Sequence, residues 1–373
     1  FRNYFCSTFK RGKNLSLSLF VSLICLLLID VGTNTSAQIV PDRTLPNNSV
    51  AQTNGNLIEI GGGTTAGSNL FHSFEQFSLS TGNTAWFNNA LTIENIIGRV
   101  TGGSISNIDG LIQANGAANL FLINPNGIVF GENAALDIGG SFIGSTADSL
   151  KFADESEFSA VDPQAPPLLT VNIPVGLQYG INNGDIEVRG SGNQLQFTPS
   201  FTVDRTERPP GLKVDPEQTL ALVGGNILID GGNLTAEAGR IELGSVAGDG
   251  FVKLNSTDSG WNLDYGEISN FQDIFLANAS SLEVSGNGGG DLQLQGREVI
   301  ITDGSAILAD TFGNSDGGEL EVNASDLLVV AGTSLDLPFI SRLSTDVAPV
   351  ATGNGGDIEL NTANLIVADG AQI

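Results

Sequence analysis

The chain has 373 residues, 40% of them hydrophobic and only 15% charged, with 48 glycines. This is not the apolar-poor, highly charged composition of a disordered chain. Acidic residues outnumber basic ones 41 to 15, for a formal charge of −26. Asp30 is the only acid, and Arg2, Lys10, Arg11 and Lys13 the only bases, before residue 38, so the chain from Gln38 onward carries 40 acids against 11 bases. A body that negative repels phosphate backbones and anionic membranes, so no nucleic acid is expected among its partners. The length exceeds one ordinary compact core and suits two domains or one elongated one. With no methionine and a repeated pattern still running at Ile373, the sequence reads as a piece of a longer protein.

Residues 1–37 read as a secretory signal peptide. The basic stretch precedes an apolar run at 15–29, which is shorter than the roughly 20 residues that span a bilayer. Thr35 and Ala37 then fall at the −3 and −1 positions of a cleavage site before Gln38. The basic flank and small-residue exit argue against a membrane anchor, and Ile24 before Cys25 argues against a lipoprotein. The expectation is export by the Sec machinery. Both cysteines, Cys6 and Cys25, lie in this segment, so the mature chain must be held by burial and backbone hydrogen bonds alone.

From about Asn56 onward, short alternating apolar runs are separated by Gly, Asn, Asp and Ser, as strands and turns require. No stretch shows a sustained helical period. Late in the chain a unit repeats: Gly290-Asp-Leu-Gln-Leu294, Gly318-Glu-Leu-Glu-Val322 and Gly356-Asp-Ile-Glu-Leu360. Each is followed by an apolar triplet and then by a glycine at one fixed offset, Gly304, Gly332 and Gly370. Alternate side chains (Leu292 and Leu294, Leu320 and Val322, Ile358 and Leu360) point inward in this reading, and the polar ones between point out. A single turn cannot bury its apolar face; stacked turns can. That describes a parallel β-helix. At about 25 residues per coil it predicts about 13 coils and on the order of 60 Å of rod. The competing fold, a pair of β-sandwiches, does not explain the fixed glycine offset.

Asn124-Pro125-Asn126-Gly127-Ile128 lies between the apolar runs 120–123 and 128–130. Pro125 fixes φ and Gly127 can adopt a left-handed conformation, so a strand–turn–strand corner is predicted.

The surroundings of this corner carry a resemblance. Asn69-Leu70-Phe71-His72-Ser73-Phe74 comes first, then Ala85-Trp-Phe-Asn-Asn-Ala90. Asn95-Ile-Ile-Gly-Arg99-Val100-Thr101-Gly102-Gly103, Ile108-Asp-Gly-Leu-Ile112 and Ala118-Asn-Leu-Phe-Leu-Ile-Asn-Pro-Asn-Gly-Ile-Val-Phe-Gly131 follow. This stretch resembles the N-terminal secretion domain of filamentous-haemagglutinin-type exoproteins of the two-partner secretion pathway, in its cyanobacterial form. The resemblance implies a right-handed parallel β-helix with an N-terminal cap and short extra-helical strands. It also implies recognition by the periplasmic domains of an outer-membrane β-barrel transporter, passage through the periplasm and outer membrane, and a secreted or surface-exposed product. Within it, Asn124, Pro125, Asn126, Gly127 and Ile128 would be the secretion motif, setting register first and supporting secretion as a consequence. The expected organisation is a signal peptide at 1–37, a secretion-domain core at 38–150, a helical continuation with extra-helical loops at 151–285, and repeats at 286–373. An adhesin or haemagglutinin-like role is expected, with a surface glycan or protein receptor as a further partner.

Other chemistry is sparse. His72 is the only histidine, flanked by aromatics, and reads as a packing residue. The acids scatter along outward strand and turn positions, so no enzymatic activity and no cofactor are expected; a β-helical carbohydrate-active enzyme and a structural surface-layer component are the alternatives. Gly286-Asn-Gly-Gly-Gly-Asp291 and Gly353-Asn-Gly-Gly-Asp357 approach a calcium-binding repeat but are not in tandem, so no metal is expected. Two stretches interrupt the pattern as excursions, 153–167 and 199–217. The second holds the only local cluster of positive charge after residue 37, Arg205, Arg208 and Lys213, beside an expected hairpin near 197–203.

Overall fold

A computed structural model describes residues 38–163, 169–199, 202–258, 260–334 and 339–373. The signal-peptide expectation lies outside the described residues. Among these residues there is no helix, and three parallel sheet faces wind along one axis.

The first face shows how. Asn69–Phe77, Asn95–Val100, Asn119–Ile123, Phe142–Ser145, Thr219–Gly224 and Arg240–Ser245 pair in parallel, one on the next. The leading halves of Asp291–Ile301, Glu319–Ala331 and Asp357–Ala368 continue the ladder. The register stacks Leu70, Ile96, Leu120, Phe142, Leu220, Ile241, Leu292, Leu320 and Ile358 in one inward column. Burying each such side chain fully is worth about 1.5–3 kcal/mol, so this column is one substantial contribution to a core that draws on all three faces. The second face runs from Ser106–Ile108 through Ile128–Phe130, Ile186–Arg189, Ile227–Asp230 and Ile274–Ala277 to the rear halves of the three long strands. The third face consists of Leu57–Gly62 through Ala135–Asp137, then Leu212–Lys213 through Arg342–Ser344. Parallel crossovers within a sheet take the right-handed sense, so the fold is the expected right-handed parallel β-helix.

The coil count is lower than expected. The first face has the nine rungs named above, which at about 4.8 Å per step gives about 40 Å rather than 60 Å. The reason is insertion: successive rungs lie 24 residues apart at Asn95 and Asn119, but 78 apart at Phe142 and Leu220. The inserted chain builds a second layer. Ser149–Phe152, Glu157–Ser159, Pro174–Tyr179, Gly250–Thr257 and Gly260–Asp264 form an antiparallel sheet that covers the first face. Beneath it the outward column is apolar, Phe71, Ile97, Phe121, Ile143 and Ala221, and joins the cover in a separate core. At the edge of the cover the same column turns polar, with Glu242 buried beneath that edge and Gln293, Glu321 and Glu359 following it. The 153–167 excursion therefore contributes a strand to this sheet.

The N-terminus is capped as expected. Ile39–Pro41 runs antiparallel to Asn69–Phe77, and Ser49–Asn54 folds as a hairpin onto Leu57–Gly62. Phe74, Phe77, Phe87 and His72 pack their rings beneath it. The expected hairpin is present as Gln196–Phe197 against Val203–Asp204, and Phe197 stacks on Phe339 at 4.8 Å. Of the basic cluster beside it, Lys213 is exposed and the two arginines face inward. Arg205 bridges Glu283 and Asp310, and Arg208 donates to Ser281, Thr235 and the Leu234 carbonyl, fastening the excursion over the third face. At the repeat corners Gly304, Gly332 and Gly370 all have positive φ, 78°, 82° and 86°, a conformation costly for any residue with a Cβ.

Candidate functional site: the 124–128 corner

The first face ends at Ile123 and the second resumes at Ile128, so the predicted corner is present. The Gly127 N–H donates to the Asn124 carbonyl at 3.1 Å, closing a four-residue turn with Pro125 at its second position. Gly127 has φ of 122°, and a Cβ there would lie 3.0 Å from the Asp185 carbonyl oxygen, so glycine is required twice over.

Each part of the turn reaches into a neighbouring coil. On the preceding coil, Asn124 Nδ2 donates to the Ser104 carbonyl (3.0 Å) and to Ser106 Oγ (2.9 Å), and Asn126 Nδ2 donates to the Gly102 carbonyl (2.8 Å). On the following coil, the Asn124 N–H donates to the Ser145 carbonyl at 2.9 Å, Gly184 N–H to Pro125 O at 3.0 Å, and Ile128 N–H to Asp185 O at 3.1 Å. Asn124 Oδ1 accepts from both the N–H and the side-chain amide of Asn126, each at 3.0 Å. Asn124 and Ile128 are fully buried, whereas Asn126 is exposed. The motif is a clamp joining three coils, with one amide presented to solvent.

The remaining family-motif residues build what lies around this clamp. Asn69 and Asn95 occupy one register position with Asn119. Asn119 Nδ2 donates to Asn95 Oδ1 and Asn95 Nδ2 to Asn69 Oδ1, each at 3.0 Å. Asn69 Nδ2 in turn donates to the carbonyls of Thr170 (3.0 Å) and Asn172 (2.8 Å), bringing chain from a hundred residues away onto the cap. Leu70, Phe74 and Val100 fill the interior, and Phe71 faces the cover sheet.

His72 Nδ1 lies 3.0 Å from Ser49 Oγ, while Nε2 is buried without a partner. Burial pushes its pKa down to about 4, which makes it a neutral packing residue at ordinary pH. Among the described residues Arg99 is the largest fully buried side chain. Its Nε donates to Ser73 Oγ (2.9 Å), Nη2 to Thr44 Oγ1 (2.8 Å) and Nη1 to the Ser159 carbonyl, with Phe158 stacked at 4.2 Å. Asp42 completes the cluster, accepting from Ser73, Thr101 and Thr44 at 2.6–2.7 Å. Those hydrogen bonds outweigh burial and hold its carboxyl below the usual range. Gly102 lies against Glu75, where a Cβ would fall 2.1 Å from the carbonyl oxygen, and Gly103 is exposed. Asp42, Thr44, Asn119 and Ser159 were not singled out from sequence, because their role comes from contacts across 22 to 60 residues.

Among the described residues no group of three or more His, Cys, Asp or Glu is placed to hold a metal ion. In the glycine-rich loops Asp291 is occupied by Arg240 (2.6 Å) and the Glu319 N–H (2.9 Å). A cavity of about 830 Å³ lies outside the second face, lined by Asp109, Arg189, Asp230, Asn278 and Asp303 among others. Asp109 there accepts from Thr81 and Asn133, and these bonds outweigh partial burial to lower its pKa, the wrong direction for a general acid.

The described residues make a capped parallel β-helix with an antiparallel cover and an interlocked Asn-Pro-Asn-Gly corner. A family model described as the TPS secretion domain matches residues 37–294, and the chain belongs to this two-partner secretion family. The family implies an outer-membrane transporter as partner and export across the outer membrane. Among solved structures, the HMW1 secretion domain from Haemophilus influenzae is similar at 16% identity, covering 90% of this chain and 100% of that one, with a TM-score of 0.45. The filamentous hemagglutinin secretion domain is similar at 14% identity, covering 90% and 96%, with a TM-score of 0.44. No curated protein matches the sequence.

Proposed function

We propose that this chain is the N-terminal part of a non-enzymatic adhesin, carried by Sec to the periplasm and then taken by its partner transporter to the cell surface or medium, where downstream coils meet a glycan or protein receptor. The observation that supports the reading best is the 124–128 corner. Its residues sit inside the matched span and tie three coils together, so damage there disrupts the rungs around it. Asn124 builds the corner and Asn126 presents it. Asn124→Ala strips partners from Ser104, Ser106 and Asn126 and is expected to cost on the order of 2–4 kcal/mol. Asn126→Ala is expected to cost about 1 kcal/mol or less, because its side chain is exposed.

The test is secretion in cells that carry the partner transporter, with periplasm and medium sampled separately. The double variant should remain in the periplasm. Normal release of the double variant overturns the proposal. Retention of Asn126→Ala alone, with stability unchanged, would favour direct contact at the exposed amide.

A further inference from the structure

The chain contains six Asn-Gly pairs, at 54–55, 115–116, 126–127, 183–184, 287–288 and 354–355. In such a pair the side-chain amide carbon lies one ring closure from the next backbone nitrogen, and glycine offers no Cβ to obstruct the approach. All six start from the same chemistry, so their surroundings decide which of them reacts.

Five are held by neighbouring coils. Asn115 Nδ2 donates to the Asn89 carbonyl at 3.0 Å, and its Oδ1 accepts from Trp86 Nε1 at 2.9 Å. Asn126 Nδ2 donates to the Gly102 carbonyl at 2.8 Å and to Asn124 Oδ1 at 3.0 Å. Asn183 Nδ2 donates to the carbonyls of Val246 (3.0 Å) and Gly248 (2.9 Å). Asn287 Nδ2 donates to Ser315 Oγ, and its Oδ1 accepts from the Asn314 N–H, both at 2.9 Å. Asn354 Nδ2 donates to Asp316 Oδ1 at 2.9 Å. The glycines that follow are crowded as well. A Cβ built on Gly116, Gly127, Gly184, Gly288 or Gly355 would come within 2.2–3.1 Å of a neighbouring atom.

Asn54 differs on both counts. It is exposed at the end of Ser49–Asn54, where that strand turns through Gly55 and Asn56 into Leu57–Gly62. Among the described residues neither its side chain nor the Gly55 N–H has a hydrogen-bond partner. Nothing stands within 4 Å of a Cβ built on Gly55, so a ring has room to close.

We propose that Asn54 is a site of spontaneous deamidation at the tip of the cap. The Gly55 backbone nitrogen attacks Asn54 Cγ and a C–N bond forms. The side-chain amide leaves as ammonia, taking up the proton that the Gly55 nitrogen gives up. Water then opens the cyclic imide at either carbonyl, giving aspartate or isoaspartate. Either product adds a negative charge to the hairpin tip, and isoaspartate also adds one backbone carbon beside the Asn54–Leu57 pair. The corner at 124–128 keeps its own amide: Asn126 is exposed too, but its hydrogen bonds hold it away from the Gly127 nitrogen. This inference stands apart from the export reading.

The test is peptide mapping by mass spectrometry of the full chain after incubation in mildly alkaline buffer, once folded and once in urea. In the folded chain Asn54 should convert at least about tenfold faster than the other five. That is the factor which about 1.4 kcal/mol of hydrogen bonding puts on a rate. In urea the six rates should draw together, because only the fold separates them. A smaller lead for Asn54 in the folded chain, or the same lead in urea, overturns the proposal. So does an intact Asn54 over the time in which the urea-treated chain reacts.

Discussion

Replacing Arg99 with methionine tests the account of the cap most directly. The guanidinium makes hydrogen bonds to Ser73, Thr44 and the Ser159 carbonyl, lies over Phe158, and is held electrostatically by Asp42, which it reaches through the two hydroxyls, and by Asp162. Methionine keeps most of the volume, so the loss is polar rather than a cavity. It leaves the Ser159 carbonyl short of a donor and Asp42 without a compensating charge. Breaking one side of a buried charge cluster costs about 3–5 kcal/mol. Asp42→Asn keeps an acceptor for the hydroxyls and is expected to cost about 1–3 kcal/mol. Because the two residues share Ser73 and Thr44, the double variant should be less destabilised than the sum, by at least about 1 kcal/mol. Urea unfolding followed by far-UV circular dichroism gives all four stabilities on one scale. An Arg99→Met protein within about 1 kcal/mol of the parent, or strictly additive effects, would refute the claim that Arg99 and Asp42 act as one unit.

Two further outcomes follow from buried charge elsewhere. His72 has its pKa lowered by burial, from 6.5 to about 4, so its contribution to stability is present above pH 6.5 and lost as pH falls toward 4. His72→Phe should remove on the order of 3 kcal/mol of acid sensitivity between those limits, read as a flatter urea midpoint against pH; an unchanged profile contradicts the assignment. Arg205→Ala leaves Glu283 and Asp310, 2.7 and 2.5 Å from its nitrogens, buried without their ion-pair partner. It should cost about 3–5 kcal/mol in urea unfolding, and Arg205→Met, which keeps most of the stem but not the charge, should cost nearly as much. A loss below about 1 kcal/mol in Arg205→Met would show that packing, not charge, fastens the excursion.

Much of this architecture was legible in the residues. Gly304, Gly332 and Gly370 marked corners, and the 290–294, 318–322 and 356–360 units marked rungs, because stacking imposes identical spacing on each turn. The Asn-Pro-Asn-Gly corner and the 196–204 hairpin were legible for the same local reason. The cover sheet was not. Its signal was present in Leu120-Phe-Leu-Ile123, where four apolar residues in a row leave no polar side. Such a run means burial on both faces of a strand, and therefore a second layer. The coil count failed with it, since chain spent on the cover was counted as rungs. Arg205 and Arg208 were legible only as a positive cluster in an excursion, because the acidic partners of Arg205 lie 78 and 105 residues away, beyond any local pattern. At the site, the turn was visible in sequence, but the division of labour between buried Asn124 and exposed Asn126 was not. That depends on which neighbour sits above and which below.

The antiparallel layer also fixes an order of events in time. Phe121 finds its ring partner at Trp261, and Asn69 its acceptors at Thr170 and Asn172. A polypeptide emerging from a pore with its amino end leading can wind its early turns as they arrive, each on the last. On such a route their flank would wait, greasy side bare, until the residues that cover it, from Phe152 for Phe71 to Trp261 for Phe121, had cleared the exit. Maturation at the leading tip would then be paced by arrival of the tail, since long-separation closure of this kind is slow.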